Sequence, residues 1–319
     1  MKKMLLALFV VALFSAPALA AGTYPEKPVQ MVVAFPPGGS SDVSARVAVE
    51  YANKFLPKPL VVSNITGGTG SVGAQHALRA TPDGYTLFWE HPTLAVQTAS
   101  KVVDFSISDF DMIGVAAKST FILVASKNLP VKNAMDLMNY MKANPGKVRW
   151  PMSFGAMSHF AFLYMADGYK GGKLEPGIVA NAGDKERMVN IIGGHADASL
   201  VGASAAAPYI ASGDVLALGV LSDKRLPMLP DLPTLREQGI DAVYNQIFTV
   251  FGPKGLPAEV KSTIREAFKK GLATAEAKKA LGGMFIVPEV LPAEESAQLW
   301  AKQEEFNKSL IQKYNLVKK

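Results

Sequence analysis

Short apolar runs alternate with segments in which apolar residues recur every three or four positions. The first such pair is the run VQMVVAF over 29–35, followed by a segment in which Val43, Val47, Tyr51 and Phe55 lie four residues apart. An apolar run with β-branched residues predicts a buried strand, and a repeat of four predicts one apolar face of a helix. Because such pairs repeat along the chain, the pattern predicts an α/β fold of βαβ units with mostly parallel strands.

The same alternation predicts the remaining elements. Further strands are expected at 60–63, after the turn at 82–84, and at 120–126, 148–155, 177–181 and 197–202. Helices are expected at 71–80, 133–143, 158–168, 184–193, 257–281 and 292–314. The sequence TLRE over 234–237 matches a capping box, and Gly239 is placed to end a short helix there.

The first twenty residues have a composition of their own. Two lysines precede an apolar run over 4–14, and Ala18 and Ala20 have the spacing that a signal peptidase recognises. A membrane span needs about 18 to 20 apolar residues, whereas this run ends before Pro17. The segment 1–20 therefore predicts a secretory signal that is cleaved after about Ala20, and a periplasmic protein. Loss of the two lysines lowers the formal net charge from +6 to +4.

The composition excludes several classes of function. The chain of 319 residues is 49% hydrophobic and has no cysteine, so we expect a core stable without disulfides, no thiol catalysis and no cysteine metal site. The four histidines show no HxxxH spacing, and no run of Lys or Arg suggests nucleic acid. GxSxG is absent. We expect no metal, no cofactor and no nucleic-acid partner.

A glycine-rich loop, PPGGSSD over 36–42, follows the first predicted strand. Ligands in α/β sheets bind beyond the carboxyl ends of the strands, where a helix N-terminus offers free N–H groups to an anion. Gly38 and Gly39 permit close approach of the backbone, the hydroxyls of Ser40 and Ser41 can donate, and Asp42 can accept or orient the loop. A plain turn followed by a helix cap explains the same residues.

A second glycine loop suggests a different function. Gly68, Gly70 and Gly73 spell GxGxxG between a strand and a helix, and Glu90 lies about twenty residues further on, as in NAD-binding proteins. Three features argue against an exported NAD-dependent oxidoreductase: the motif belongs to the second βα unit, residues 64–66 separate it from its strand, and the chain carries an export signal.

Seven segments occur in a characteristic order. They are YPEKPVQMVVAFPPGGSSD (24–42), NITGGTGSVGA (64–74), PDGYTL (82–87), ANPGKV (143–148), MSFGAMSHF (152–160), IIGGHADAS (191–199) and LPDLPTLREQG (229–239). In this order the chain resembles the solute-binding proteins of tripartite tricarboxylate transporters, the Bug receptors. PPGGSSD, PDGYTL and PDLPT carry the resemblance most specifically.

The resemblance implies a periplasmic-binding-protein fold of type II character, with two α/β lobes that close over a small organic anion. Its expected lobes are 22–119 with 226–319, and 120–225. It implies a monomeric receptor, not an enzyme, that binds a mono-, di- or tricarboxylate and delivers it to membrane permease subunits. A subunit that senses the ligand for a membrane kinase is an alternative with the same fold.

The resemblance also implies which loops meet the ligand, those at 36–42, 67–71 and 153–158. The expected ligand-binding residues are Phe35, Gly38, Gly39, Ser40, Ser41, Asp42, Gly68, Thr69, Gly70, Glu90, His91, Ser153, Gly155, Ala156, Ser158, Asn181, Ala182 and Gly202. Phe121, Phe154 and Phe248 are candidates for an apolar wall. The chain departs from the family at Thr69, at the WEH of 89–91, and at the VANAG of 179–183 where VPYKG is usual, so specificity is expected to differ there.

Overall fold

The computed structural model describes residues 24–181 and 183–316. The strands are β1 (Val29–Val33), β2 (Leu60–Asn64), β3 (Thr86–Glu90), β4 (Phe110–Ala125), β5 (Arg149–Met152), β6 (Gly177–Ala180), β7 (Ala198–Gly202), β8 (Leu216–Val220), β9 (Asn245–Pro253) and β10 (Val287–Pro288). The helices are α1 (Ser40–Ala52), α2 (Ser71–Leu78), α3 (Thr93–Ala99), α4 (Ala134–Ala143), α5 (Met157–Gly168), α6 (Asp184–Ile192), α7 (Ala203–Ala211), α8 (Ala258–Ala273), α9 (Ala275–Gly283) and α10 (Ala293–Tyr314). The predicted signal at 1–20 lies outside the described residues.

One part of the molecule, here called lobe 1, is built on β1, β2 and β3. β1 pairs in parallel with both neighbours, Val29 opposite Leu60 on one side and Met31 opposite Leu87 on the other. β9 then continues the sheet antiparallel to β3. Because the three parallel strands point the same way, their following loops meet at one edge of the sheet.

The longest strand joins lobe 1 to a second part, here called lobe 2. The first half of β4 pairs antiparallel with β9, and its second half, Phe121 to Ala125, pairs antiparallel with β7 and β8. β5 and β6 form a separate parallel pair. The predicted two-lobed α/β fold is confirmed. The alternation of strands and helices predicted mostly parallel pairs, and it did not predict the antiparallel pairs that β4 and β9 make.

Each lobe has its own apolar core. In lobe 1, α1 and α8 pack on the sheet, and the Trp89 ring stacks on Phe248 with centroids 5.8 Å apart. In lobe 2, Trp150 is fully buried beside Phe162. α10 contacts both cores, through Trp300 in lobe 1 and Leu310 in lobe 2. In the described residues, no helix has the length and apolar character that crossing a membrane requires.

Part of the segment after the expected lobe boundary packs in lobe 2. Leu235, Ile240 and Tyr244 are buried in the core of lobe 2, although the expected boundary is at residue 225. The reason is that β9, which pairs with the whole first half of β4, is the strand that crosses back. The exact lobe boundaries stay a prediction.

Most predicted helices are present within a few residues of their expected bounds, with one clear exception. The helix predicted over 257–281 is two helices, because Thr274 has an extended backbone with ψ 149° and its hydroxyl caps α9 by accepting from Ala277 N–H. The capping box is confirmed, since Thr234 N–H donates to Glu237 Oε2 over 2.7 Å and Glu237 N–H donates to Thr234 Oγ over 3.1 Å. α3, α7, β8, β9 and β10 have no counterpart in the prediction, and β4 begins ten residues before the strand predicted at 120–126.

Candidate functional site

A cavity of about 300 Å³ lies between the two lobes. Lobe 1 contributes the loop after β1 and the residues that follow β3, lobe 2 contributes the starts of α5 and α6, and the crossing strands β4 and β9 contribute one residue each. The lining residues are Phe35, Pro36, Pro37, Gly39, Ser40, Ser41, His91, Thr93, Phe121, Ser153, Ala156, Met157, Ser158, Gly183, Asp184, Lys185, Glu186, Arg187, Val189 and Gln246.

Three helices begin at the wall of this cavity. α1 follows Gly39, α5 follows Ala156 and α6 follows Gly183, and none of these three residues caps its helix through a side chain. The first N–H groups of a helix have no intrahelical acceptor and carry a partial positive charge. Three such ends around one cavity make it suited to an anion, although the first N–H of α1 donates to Asp184 and that of α5 to the Thr93 hydroxyl.

The loop that precedes α1 is held in shape from behind. Gly38 has a left-handed backbone with φ 79°, and its N–H donates to Asp42 Oδ2 over 2.8 Å. Asp42 also accepts from Arg46 Nε and Asn64 Nδ2, each over 2.9 Å. Burial alone would raise the pKa of the Asp42 carboxyl, but these partners lower it. Asp42 does not line the cavity and instead positions the residues that do.

An aspartate of lobe 2 occupies the start of α1. Asp184 Oδ2 accepts from the Ser40 hydroxyl and from Ser40 N–H, the latter over 3.3 Å, while Oδ1 accepts from Arg187 Nη2 and from Gly202 N–H. Burial would raise the pKa of this carboxyl, but the charge of Arg187 and the hydrogen bonds outweigh it and hold the pKa below its ordinary value. Asp184 is therefore ionised and joins the lobes.

The close approach of the two lobes at this point requires a glycine. A Cβ atom on Gly202 would lie 2.6 Å from Ser40 Cβ and 2.8 Å from Asp184 Oδ2. Gly202 does not line the cavity, and it acts by making room for the contact between Ser40 and Asp184.

Arg187 places a cation in the cavity wall. Its Nη1 donates to Ser153 Oγ over 3.2 Å and to Ser158 Oγ over 3.3 Å, which ties the start of α6 to the start of α5. Its Nε has no hydrogen-bond partner among the described residues, although Arg187 is only 4% exposed. Because an unpaired buried N–H is costly, this atom is suited to donate to an anion in the cavity.

Two predicted residues at the end of β3 differ in position. Glu90 is buried behind the cavity, and its Oε1 lies 3.4 Å from His91 Nδ1. Burial raises the pKa of Glu90 well above its ordinary value and lowers the pKa of His91 to about 4, so burial favours the neutral form of both side chains. His91 lines the cavity with its ring 4.7 Å from that of Phe35.

The sequence model of the tripartite tricarboxylate transporter family receptors matches residues 44–316. The chain belongs to this receptor family. A Cupriavidus necator relative, the UPF0065 protein in the gbd 5′ region, is 30% identical over 299 residues, which are 93% of this chain and 90% of that protein.

Solved structures of other proteins share the fold. The periplasmic binding protein BugD is 29% identical with a TM-score of 0.84, and the match covers 93% of this chain and 100% of that one. MatC from Rhodopseudomonas palustris, solved with bound malate, is 23% identical with a TM-score of 0.82 over 90% of this chain and 100% of that one. The family is one of solute receptors of the periplasm, not of enzymes.

The cavity is lined by eight of the eighteen ligand-binding residues that the resemblance implies. Lining residues among them are Phe35, Gly39, Ser40, Ser41, His91, Ser153, Ala156 and Ser158; Gly38, Asp42, Gly68, Thr69, Gly70, Glu90, Gly155, Asn181 and Gly202 do not line it. Ala182 lies outside the described residues. Of the three candidate phenylalanines only Phe121 lines the cavity, because Phe248 is in the core of lobe 1 and Phe154 is 55% exposed.

The second glycine loop packs against lobe 1 without reaching the cavity. Gln97 Nε2 on α3 donates to the carbonyls of Gly68 and Thr69, over 3.1 and 3.0 Å. A Cβ on Gly73 would lie 2.5 Å from the Ile65 carbonyl oxygen. These glycines therefore allow close packing between a helix, a strand and a loop, which accounts for GxGxxG without a nucleotide.

Sequence reasoning missed several lining residues, above all Asp184, Arg187, Thr93 and Gln246. A signal for one of them was present, because Arg187, Met188 and Ile191 share the buried face of α6, and an arginine on an apolar face needs a partner. Thr93 and Gln246 lie on elements that the sequence did not predict. Asn181 supports the wall indirectly, since its carbonyl accepts from Ser153 Oγ over 2.6 Å.

Proposed function

We propose that the protein is a periplasmic receptor that binds a small carboxylate between its lobes and presents it to the membrane subunits of a tripartite tricarboxylate transporter. The observation that carries this proposal is the convergence of three helix N-termini and the Arg187 guanidinium on one cavity between the lobes, although Asp184 already accepts from the first N–H of α1. Each of these features favours an anion. The malate bound to MatC, a relative in fold, is consistent with a carboxylate.

In this proposal some residues bind the carboxylate, some pack against its carbon skeleton, and others position the binding loops. Arg187, with Ser41 and Ser158 at the starts of α1 and α5, holds the carboxylate, while Phe35, Phe121 and other apolar residues pack against its carbon skeleton. Asp42 and Gly202 act through the loops that they position. Ligand contacts from both lobes stabilise the closed form, so binding shifts an equilibrium between open and closed molecules without covalent chemistry.

Thermal unfolding in the presence of mono-, di- and tricarboxylates tests the proposal. A ligand that binds the folded protein raises the midpoint of unfolding with concentration. We expect at least one acid to do so, and a quaternary ammonium or a sugar of similar size to have no effect. No shift across a broad panel of acids would contradict the proposal.

The cellular role needs two further measurements. We expect export with cleavage after about Ala20, so that the periplasmic protein begins at Ala21, which N-terminal sequencing checks. We also expect a monomer, which sedimentation checks. Uptake of the bound acid by cells that carry the permease subunits should depend on this protein. If the protein only reports the acid to a membrane kinase, its deletion should leave uptake unchanged.

A further inference from the structure

The positive charge of the chain is concentrated in one segment of lobe 1. Residues 254–279, which include α8 and α9, contain seven lysine and arginine side chains and three glutamates. This excess of four equals the formal net charge of the chain without Lys2 and Lys3, so the charges of the remaining residues balance. A local excess of one sign on an otherwise balanced protein indicates a partner of the opposite charge.

The fold adds two lysines to this surface. A Cβ atom on Gly271, in the last turn of α8, would lie 2.4 Å from the Tyr51 carbonyl oxygen, so α8 ends directly against the end of α1. The short 3₁₀ turn Asn53–Phe55 follows α1 there and packs against α8, and it brings Lys54 and Lys58 to α8. The surface formed in this way, here called the basic face, carries Lys54, Lys58, Arg265, Lys269, Lys270, Lys278 and Lys279.

The cations of the basic face are poorly compensated within the protein. Among the described residues, only Lys269 of the seven has a carboxylate within ion-pair distance, Glu266 at 3.9 Å, and the two side chains are 67% and 46% exposed. An exposed pair of this kind contributes little. The glutamates on α1, α8 and α9 number four, so the cations outnumber them; they are Glu50, Glu259, Glu266 and Glu276.

The composition of the basic face favours an anionic lipid surface over a protein. Six of its seven cations are lysines, which protein interfaces tend to exclude, whereas arginine is enriched in them. Lysine is a flexible point charge, which suits the mobile phosphate headgroups of a bilayer. Phe55, next to Lys54, is 45% exposed, and an exposed aromatic ring among cations is typical of surfaces that lie in the membrane interface.

The basic face lies away from the cavity. α1 begins at the cavity wall with Ser40 and ends about 20 Å further on, next to Lys54. We propose that the basic face binds the anionic headgroups on the periplasmic surface of the cell membrane and holds the receptor there with its cavity uncovered. This inference goes beyond the proposed receptor function, and it does not depend on which acid binds.

Co-sedimentation of the mature protein with vesicles tests the proposal. We expect binding to an equimolar mixture of phosphatidylglycerol and phosphatidylcholine, and none to phosphatidylcholine alone. The binding should be lost at about 1 M salt, where the screening length is about 3 Å. Lys269→Gln together with Lys270→Gln should weaken the binding at least about tenfold, since each lysine near an anionic surface contributes a factor of about five.

The matched control is Lys302→Gln together with Lys308→Gln. It removes the same charge from α10, which lies on the opposite face of the lobe 1 sheet. α8 packs in the core that contains Trp89 and α10 in the core that contains Phe88, and adjacent residues of a strand point to opposite faces. The control protein should bind the anionic vesicles as the parent does.

The outcomes separate this inference from the receptor function. Equal weakening by the two double variants, equal binding to both kinds of vesicle, or binding to neither would overturn the inference and leave the receptor function intact. Calorimetric titration with carboxylates should give the same affinity for the parent and both double variants, because the basic face lies away from the cavity. Binding of no acid at all would overturn the receptor function and leave the vesicle result standing.

Discussion

The carboxylate of Asp184, at the start of α6, accepts hydrogen bonds from both the hydroxyl and the backbone N–H of Ser40, at the start of α1. The protein thus supplies an anion of its own to one helix N-terminus in the cavity, and that anion comes from the opposite lobe. Since Asp184 also neutralises part of the Arg187 charge, the contact between the lobes and the charge of the binding wall depend on the same side chain.

Removing the charge of Asp184 should destabilise the protein strongly. Asp184→Asn leaves the Arg187 guanidinium buried without its counter-ion, which we expect to lower the free energy of unfolding by about 3 kcal/mol. Urea denaturation followed by circular dichroism measures this.

The matched control is Asp241→Asn. Asp241 pairs with Arg236, but their side chains are 72% and 51% exposed, so we expect a change below about 0.5 kcal/mol. Equal effects of the two substitutions would contradict the structural role given to the buried pair.

A methyl group at Gly202 should interfere with lobe closure. Gly202→Ala places Cβ against Ser40 and Asp184, so the lobes must separate locally and the affinity for carboxylates should fall at least about tenfold. Small-angle scattering should show less compaction on adding ligand. Gly282→Ala, where a Cβ meets nothing within 4 Å, should behave like the parent protein.

Asp42 should affect binding although it does not line the cavity. Asp42→Ala removes the acceptor of Gly38 N–H and of Arg46, which frees the loop before α1 and should weaken carboxylate binding about tenfold. Titration calorimetry measures the affinity. Glu50→Ala, on the exposed face of the same helix, should leave it unchanged, and an unchanged affinity in Asp42→Ala would show that the loop keeps its shape without this carboxylate.

The stability of the protein should fall as the pH drops below 6.5. Burial lowers the pKa of His159 from its ordinary 6.5 to about 4, so between these values the unfolded chain binds a proton that the folded protein does not. The stabilisation linked to neutral His159 is present above pH 6.5 and is lost as the pH falls, by about 2 kcal/mol at pH 5. His159→Gln should show a shallower decline in urea denaturation between pH 7 and 5; a parallel decline would contradict the shift.

The sequence predicted the parts of the fold that have strong local periodicity. β1, α1 and the capping box at Thr234 each depend on neighbouring residues, so their signals are complete within one segment. β9 was not predicted because its pairing with β4 joins residues more than a hundred positions apart in the chain. The split at Thr274 was missed since the apolar spacing continues across it.

The candidate site was harder to predict because much of its chemistry is formed between the lobes. Ser40 has a clear local signal, but its partner Asp184 lies 144 residues away in a segment typical of an exposed helix start. Likewise, Gly202 is explained only by the side chains of Ser40 from lobe 1 and Asp184 from lobe 2, which lie against it. The glycine motif at Gly68 is the opposite case. Its local pattern strongly suggested a nucleotide site, but these glycines allow close packing within lobe 1.

The proposed function requires that a carboxylate binds between the lobes beside Arg187. A crystal structure of the protein with the tightest-binding acid of the panel tests this most directly. We expect electron density for the carboxylate in the cavity, with an oxygen about 2.7 to 2.9 Å from Arg187 Nε. An acid bound elsewhere, for instance at the loop containing Gly68, with Arg187 Nε unpaired, would contradict it.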